Sequence, residues 1–204
     1  MNKIIAALDG MDFKQSIEFL NPIRNKIHAI KINHPLLSHI SDYKKEGYKV
    51  FADLKLHDIP NTVEKVIEWL IEQKVDMTTV HYGNGEKCLE QISILRVHIK
   101  LLLVTHLTSL PVSYMKQSEI YTTLTYNGNH PYNHYDLIMS PLDLITFKEY
   151  DPHNRFKKYC PGIRLEDRKD DQLRTATPQE AIKNGADYLI IGRPLWENSI
   201  ECFL

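Results

Sequence analysis

Tyr48-Lys49-Val50-Phe51-Ala52-Asp53-Leu54-Lys55-Leu56-His57-Asp58-Ile59-Pro60-Asn61-Thr62 is the stretch that decides how the chain is read. It opens as an apolar, β-prone run and turns abruptly polar. On a strand successive side chains alternate faces, so Asp53 and Lys55 share one face and Leu54 takes the other. A second carboxylate, Asp58, follows three residues on. Pro60 then fixes a backbone angle suited to the first turn of a helix, which residues 63–73 can supply. The reading is strand, charged exit, helix start.

The same unit recurs on both sides. Apolar runs at 3–8, 27–32, 48–55 and 75–81 predict four strands, and 99–107, 136–139, 156–162 and 187–191 predict four more. Helical spacing falls between them at 13–23, 35–46, 62–73, 86–95 and 142–150, with Gly47 as a helix-terminating glycine. Thr177-Pro178-Gln179-Glu180 is a helix start with threonine as cap and glutamate three residues on. Gly192-Arg193-Pro194 opens a final helix. Residues 111–135 hold a short helix near 114–124 and then a loop, and 164–173 read as a charged loop. Strict β/α alternation implies a parallel sheet, and eight units of about 25 residues make a compact (β/α)8 barrel. An open doubly wound sheet calls for Gly-x-Gly-x-x-Gly after the first strand, where this chain has Asp9-Gly10-Met11.

Bulk properties bound the partners. At 204 residues, with 25% charged and 43% hydrophobic side chains, the chain suits one domain spanning 1–204. A net charge of −1 favours neither nucleic acid nor an anionic membrane. No apolar run approaches the roughly 20 residues of a membrane span, and the N-terminus reads as a strand rather than a leader. Cys88, Cys160 and Cys202 show no paired spacing, which suits reduced thiols in a cytoplasm.

Barrel chemistry sits at the C-terminal strand ends. There the sequence places Asp9, Lys31, Asp53 with Lys55, His81, Thr108, Arg164 and Gly192-Arg193, with Gln172 on a loop able to fold over the mouth. Charges gathered this closely are tolerable only in alternation, and Lys31, Asp53, Lys55 and Asp58 would form such a chain. A glycine and an arginine at a helix start suit an anion.

Asp53-x-Lys55-x-x-Asp58-Ile59-Pro60-Asn61-Thr62 resembles the signature of the orotidine 5′-phosphate (OMP) decarboxylase family. Its Ile-Pro-Asn-Thr tail separates it from sister families sharing only Asp-x-Lys-x-x-Asp. Pro161-Gly162-Ile163-Arg164, Asp171-Gln172, Ile191-Gly192-Arg193-Pro194 and the fifth-strand run ending Leu107-Thr108-Ser109 match further family segments. The resemblance implies a (β/α)8 barrel that converts OMP to UMP and CO2 in pyrimidine biosynthesis without cofactor or metal. It implies that Asp9 and Lys31 bind the ribose hydroxyls and join the charge network, Asp53 faces the substrate carboxylate, and Lys55 protonates C6. It further implies a homodimer with shared sites, into whose partner site Asp58 and Thr62 reach. Thr108 would contact the pyrimidine, and Gln172, Gly192 and Arg193 the phosphate, with Arg164 also at the substrate.

Other readings are kept beside this one. A Mg²⁺-dependent sugar-phosphate decarboxylase of the same superfamily would need an extra acidic ligand. A non-catalytic nucleotide-binding homodimer would keep the mouth and lose turnover. His57 and His81 are expected to support the site rather than transfer protons. His130, His134 and His153 lack a compact metal spacing, and Gly83-Asn84-Gly85-Glu86-Lys87 is a turn into a helix, not a phosphate loop.

Overall fold

The computed structural model describes residues 3–105, 114–125, 131–165 and 174–204. Eight parallel strands close in sequential order: β1 (Ile4–Ala7), β2 (Ala29–Ile32), β3 (Val50–Leu56), β4 (Met77–His81), β5 (Lys100–Val104), β6 (Asp136–Ile138), β7 (Lys158–Cys160) and β8 (Tyr188–Ile191). β8 pairs back onto β1, with Ile5 opposite Ile190. Between strands lie α1 (Phe13–Leu20), α2 (Ile40–Lys45), α3 (Pro60–Glu72), α4 (Glu86–Ser93), α5 (Tyr114–Thr125), α6 (Pro141–Phe147) and α7 (Pro178–Lys183), and α8 (Arg193–Glu197) follows β8. Every expected strand is present, and most are shorter than the apolar runs that announce them. The outer residues of those runs pack without joining the ladder, as Tyr48, Ile99 and Phe156 do.

Two apolar layers follow from strand alternation. Ile5, Ala29, Phe51, Met77, Leu102 and Tyr159 point into the barrel and form a small inner cluster. Their neighbours Ile4, Ile30, Val50 and Leu103 point outward and meet the helices in the larger cluster. The inner cluster fills the lower barrel, so the next inward positions, Lys31, Asp53 and Thr79, form a polar layer above it at the strand C-terminal ends. Helix starts are capped as expected: Thr177 Oγ1 accepts from Glu180 N, and Pro178 occupies the first turn of α7. Pro60 likewise begins α3, two residues earlier than the apolar spacing indicates.

Candidate active site

The charged exit of β3 is not a regular strand end. The β3–β4 register slips between Ala52 and Leu56, and Lys55 adopts a positive φ of 47°. A non-glycine residue in this left-handed region costs about 1–2 kcal/mol and persists only where the surroundings impose it. Here Thr79 on β4 imposes it: the Lys55 amide donates to Thr79 Oγ1 at 2.8 Å, and that hydroxyl donates to Asp53 Oδ1 at 2.9 Å. The bulge swings Lys55 back over Asp53, with Nζ 2.8 Å from Oδ2. Simple alternation predicts that the two share a face; the local distortion is what brings them into contact.

Lys31 completes the array. Its ammonium lies 3.0 Å from Asp53 Oδ2 and 2.8 Å from Asp9 Oδ2, and Asn33 donates to Asp9 Oδ1 at 2.7 Å. The order of charge is therefore Asp9, Lys31, Asp53, Lys55. Burial opposes ionisation of Asp53, but the Lys31 and Lys55 ammoniums outweigh it and hold the carboxyl at about 2. Burial likewise pulls Lys31 down, and the Asp53 and Asp9 carboxylates more than reverse this, leaving it raised. Asp53 and Lys31 are nearly enclosed, whereas Lys55 keeps 45% of its side chain exposed toward the mouth. One cation is thus sequestered and one presented.

One expectation is corrected. Asp58 does not extend the array: among the described residues its carboxylate makes no ion pair, and Oδ1 instead accepts from the Ile59 amide at 2.6 Å. The turn into α3 carries it outward, where Asn84 Oδ1 holds the Asp58 amide at 3.1 Å and Asn84 Nδ2 binds the Leu56 carbonyl at 2.8 Å. Asp9 ends the array on its other side, through Lys31. Asp58, Ile59, Asn61 and Thr62 form one exposed edge on this chain.

The remaining expected residues separate by position. Gly192 follows β8 against Ala7, and Arg193 is exposed at the first turn of α8. Arg164 is buried, with Nη1 donating to the Ile163 carbonyl at 2.9 Å. Thr108 and Gln172 lie outside the described residues. His57 and His81 stack at 4.9 Å, and His81 Nδ1 accepts from Gly83 N at 3.0 Å, which is support for the turn after β4. Thr79 and Asn33 are absent from the sequence reading. Both share inward parity with residues named from the sequence, Thr79 with His81 and Asn33 with Lys31, and that parity is the available signal.

A closed (β/α)8 barrel whose mouth presents one exposed lysine over a buried lysine-backed carboxylate defines a class of enzyme-like barrels that act by placed charge. Family comparison makes this specific. Residues 2–199 match the family described as Orotidine 5'-phosphate decarboxylase / HUMPS family, and the chain belongs to it. It is 35% identical to the orotidine 5'-phosphate decarboxylase of Wolbachia pipientis subsp. Culex pipiens, over 98% of this chain and 93% of the relative. It is 34% identical to the protein of the same name from Fusobacterium nucleatum, over 96% and 90%. The crystal structure of orotidine 5'-phosphate decarboxylase from Lactobacillus acidophilus superposes with a TM-score of 0.73 at 27% identity, covering 98% of this chain and 93% of that one.

Proposed function

We propose that this chain decarboxylates OMP to UMP and CO2, the last step of uridine nucleotide synthesis, as a cytoplasmic homodimer. The carrying observation is the Asp9–Lys31–Asp53–Lys55 array, with its single exposed ammonium. The C6–carboxyl bond breaks with its electron pair left on C6, where no carbonyl is placed to delocalise it. Asp53, ionised through the whole physiological range, repels the substrate carboxylate and relaxes as CO2 departs. Lys55 stabilises the developing carbanion and then transfers a proton from Nζ to C6, completing UMP; it regains a proton from water. Lys31 and Asp9 bind the ribose hydroxyls and keep Asp53 from drifting. Thr108 contacts the pyrimidine, and Gln172, Gly192 and Arg193 take the phosphate, whose binding energy is used at the distant C6. Asp58 and Thr62, on the exposed edge, serve the partner subunit's site.

The decisive measurement is the ultraviolet absorbance change of OMP in EDTA. Turnover without added metal supports the assignment and separates it from a Mg²⁺-dependent sugar-phosphate enzyme. UMP binding without OMP turnover would identify a non-catalytic nucleotide binder instead. Arg193→Ala should weaken UMP far more than uridine, and equal losses would remove the phosphate role.

A further inference from the structure

Two consecutive threonines on β4 meet the bulge of β3, and they meet it differently. Ala52 lies opposite Thr78 and Leu56 opposite Val80, so residues 53–55 face Thr79 alone. Both threonines are fully buried. Thr78 Oγ1 donates to the Ala52 carbonyl at 2.9 Å, a bond to backbone only. Thr79 Oγ1 accepts from the Lys55 amide at 2.8 Å and donates to Asp53 Oδ1 at 2.9 Å. That direction is forced. An amide N–H can only donate and the ionised Asp53 carboxylate can only accept, so the single hydroxyl proton points at Asp53.

The parallel ladder gains nothing from this bulge. It interrupts pairing over 53–55 and sets Lys55 at φ 47°, a conformation that a non-glycine residue keeps only under constraint. What a bulge beside a site can do is re-aim a side chain. With Asp53 Oδ1 engaged by Thr79, Oδ2 receives both ammoniums, Lys55 Nζ at 2.8 Å and Lys31 Nζ at 3.0 Å. One hydroxyl therefore holds both ends of the Lys55–Asp53 contact, the backbone of the lysine and the rotation of the carboxylate. The Lys55 side chain itself is 45% exposed, and among the described residues its ammonium pairs only with Asp53. Its position is set from below, by Thr79.

We propose that Thr79 is a positioning residue for the proton donor: through Lys55 N and Asp53 Oδ1, its hydroxyl sets where the Lys55 ammonium stands. This rests on the reading that Lys55 delivers the proton to C6 in an OMP decarboxylase. Thr78 supplies the comparison, because its hydroxyl braces the same bulge without touching the charge array. A role in the fold alone would make the two threonines equivalent.

The test measures kcat and KM for OMP, and inhibition by UMP, in wild type, Thr79→Val, Thr79→Ser and Thr78→Val, each confirmed folded by circular dichroism. Thr79→Val keeps the shape and loses donor and acceptor together. Its kcat should fall at least tenfold, because small misplacements of a reacting group carry large rate costs. KM and UMP inhibition should stay within threefold. Thr79→Ser restores the hydroxyl and should bring kcat back to within threefold of wild type, and Thr78→Val should leave kcat within the same range. If Thr79→Val does not fold, Thr79→Cys is read in its place; its thiol is a weaker donor and acceptor and should cost at least threefold in kcat alone. An unchanged kcat, a parallel loss in UMP inhibition, a serine that does not rescue, or equal kcat losses at Thr78 and Thr79 each overturn the positioning role. A wild type that does not turn over OMP instead removes the underlying reading before any variant is compared.

Discussion

The Lys31 ammonium lies 3.0 Å from Asp53 Oδ2, and the two side chains are 10% and 11% exposed. Each is tolerable in the barrel only because of the other. Lys31→Met should therefore cost more than a lysine usually does, since it leaves the Asp53 and Asp9 carboxylates facing each other across the lost cation. Breaking one side of a buried pair costs about 3–5 kcal/mol. Urea unfolding checks this, and a loss below about 1 kcal/mol, typical of a surface pair, would contradict the enclosure.

The same pair sets a pH limb. Asp53 is held at about 2 against an ordinary 3.8, so its stabilisation is complete above the ordinary value and is lost as pH falls from there toward 2. The shift corresponds to roughly 2 kcal/mol. Lys31 works in the opposite direction: its raised value contributes stability that is present below 10.5 and lost only as pH climbs beyond it. Unfolding free energies measured from neutral to acid pH should fall steeply in wild type, and Asp53→Asn should flatten that slope. An unchanged slope in Asp53→Asn assigns the acid limb to other carboxylates.

Lys55→Ala removes the only exposed ammonium of the array and the proposed proton donor. Positioned acid catalysis and fixed-charge stabilisation are each worth on the order of 10²-fold or more, so OMP turnover should fall by at least about 10³-fold. The fold should survive, because the Lys55 amide, not its side chain, makes the bond to Thr79. Near wild-type turnover in this variant sinks the chemical assignment.

The barrel was legible because β/α alternation is written in apolar periodicity, and even its closure follows from eight such units. The site was legible in part. Lys31, Asp53 and Lys55 are charges in apolar runs, a pattern with few structural explanations. Asp58 looked like their continuation because linear spacing cannot show which way a turn carries a side chain. Thr79 was missed because a threonine suits any strand, and its role depends on a register slip between two strands. The buried Asp143–Arg174 ion pair joins residues 31 positions apart, so neither residue announces the other.

Gly162 stands within Pro161-Gly162-Ile163-Arg164 for a backbone reason. Its φ of +78° suits glycine, and an added Cβ would meet the Arg174 carbonyl at 2.7 Å. That contact is with backbone and cannot rotate away. Gly162→Ala should destabilise by roughly 1–3 kcal/mol, well beyond an ordinary surface change. Thermal unfolding is the measure, and a neutral result means the two segments separate freely.

The edge formed by Asp58, Ile59, Asn61 and Thr62 bears on assembly. Asp58 is exposed and its Oδ1 accepts from the Ile59 amide, and Ile59 is 66% exposed beside it. If both are completed by a second copy, each site combines Lys55 of one subunit with Asp58 of the other. Lys55→Ala and Asp58→Ala should then be weakly active alone and complement each other when mixed. A two-fold dimer has two equivalent sites, so a mixed dimer holds one site with both residues intact and one with neither. Random exchange makes half the dimers mixed, and activity should recover to about a quarter of wild type. Mixing after denaturation and refolding, followed by an OMP assay, measures this. If exchange is shown by mass spectrometry and activity stays at the sum of the parents, each subunit works alone and Asp58 belongs to the turn it caps.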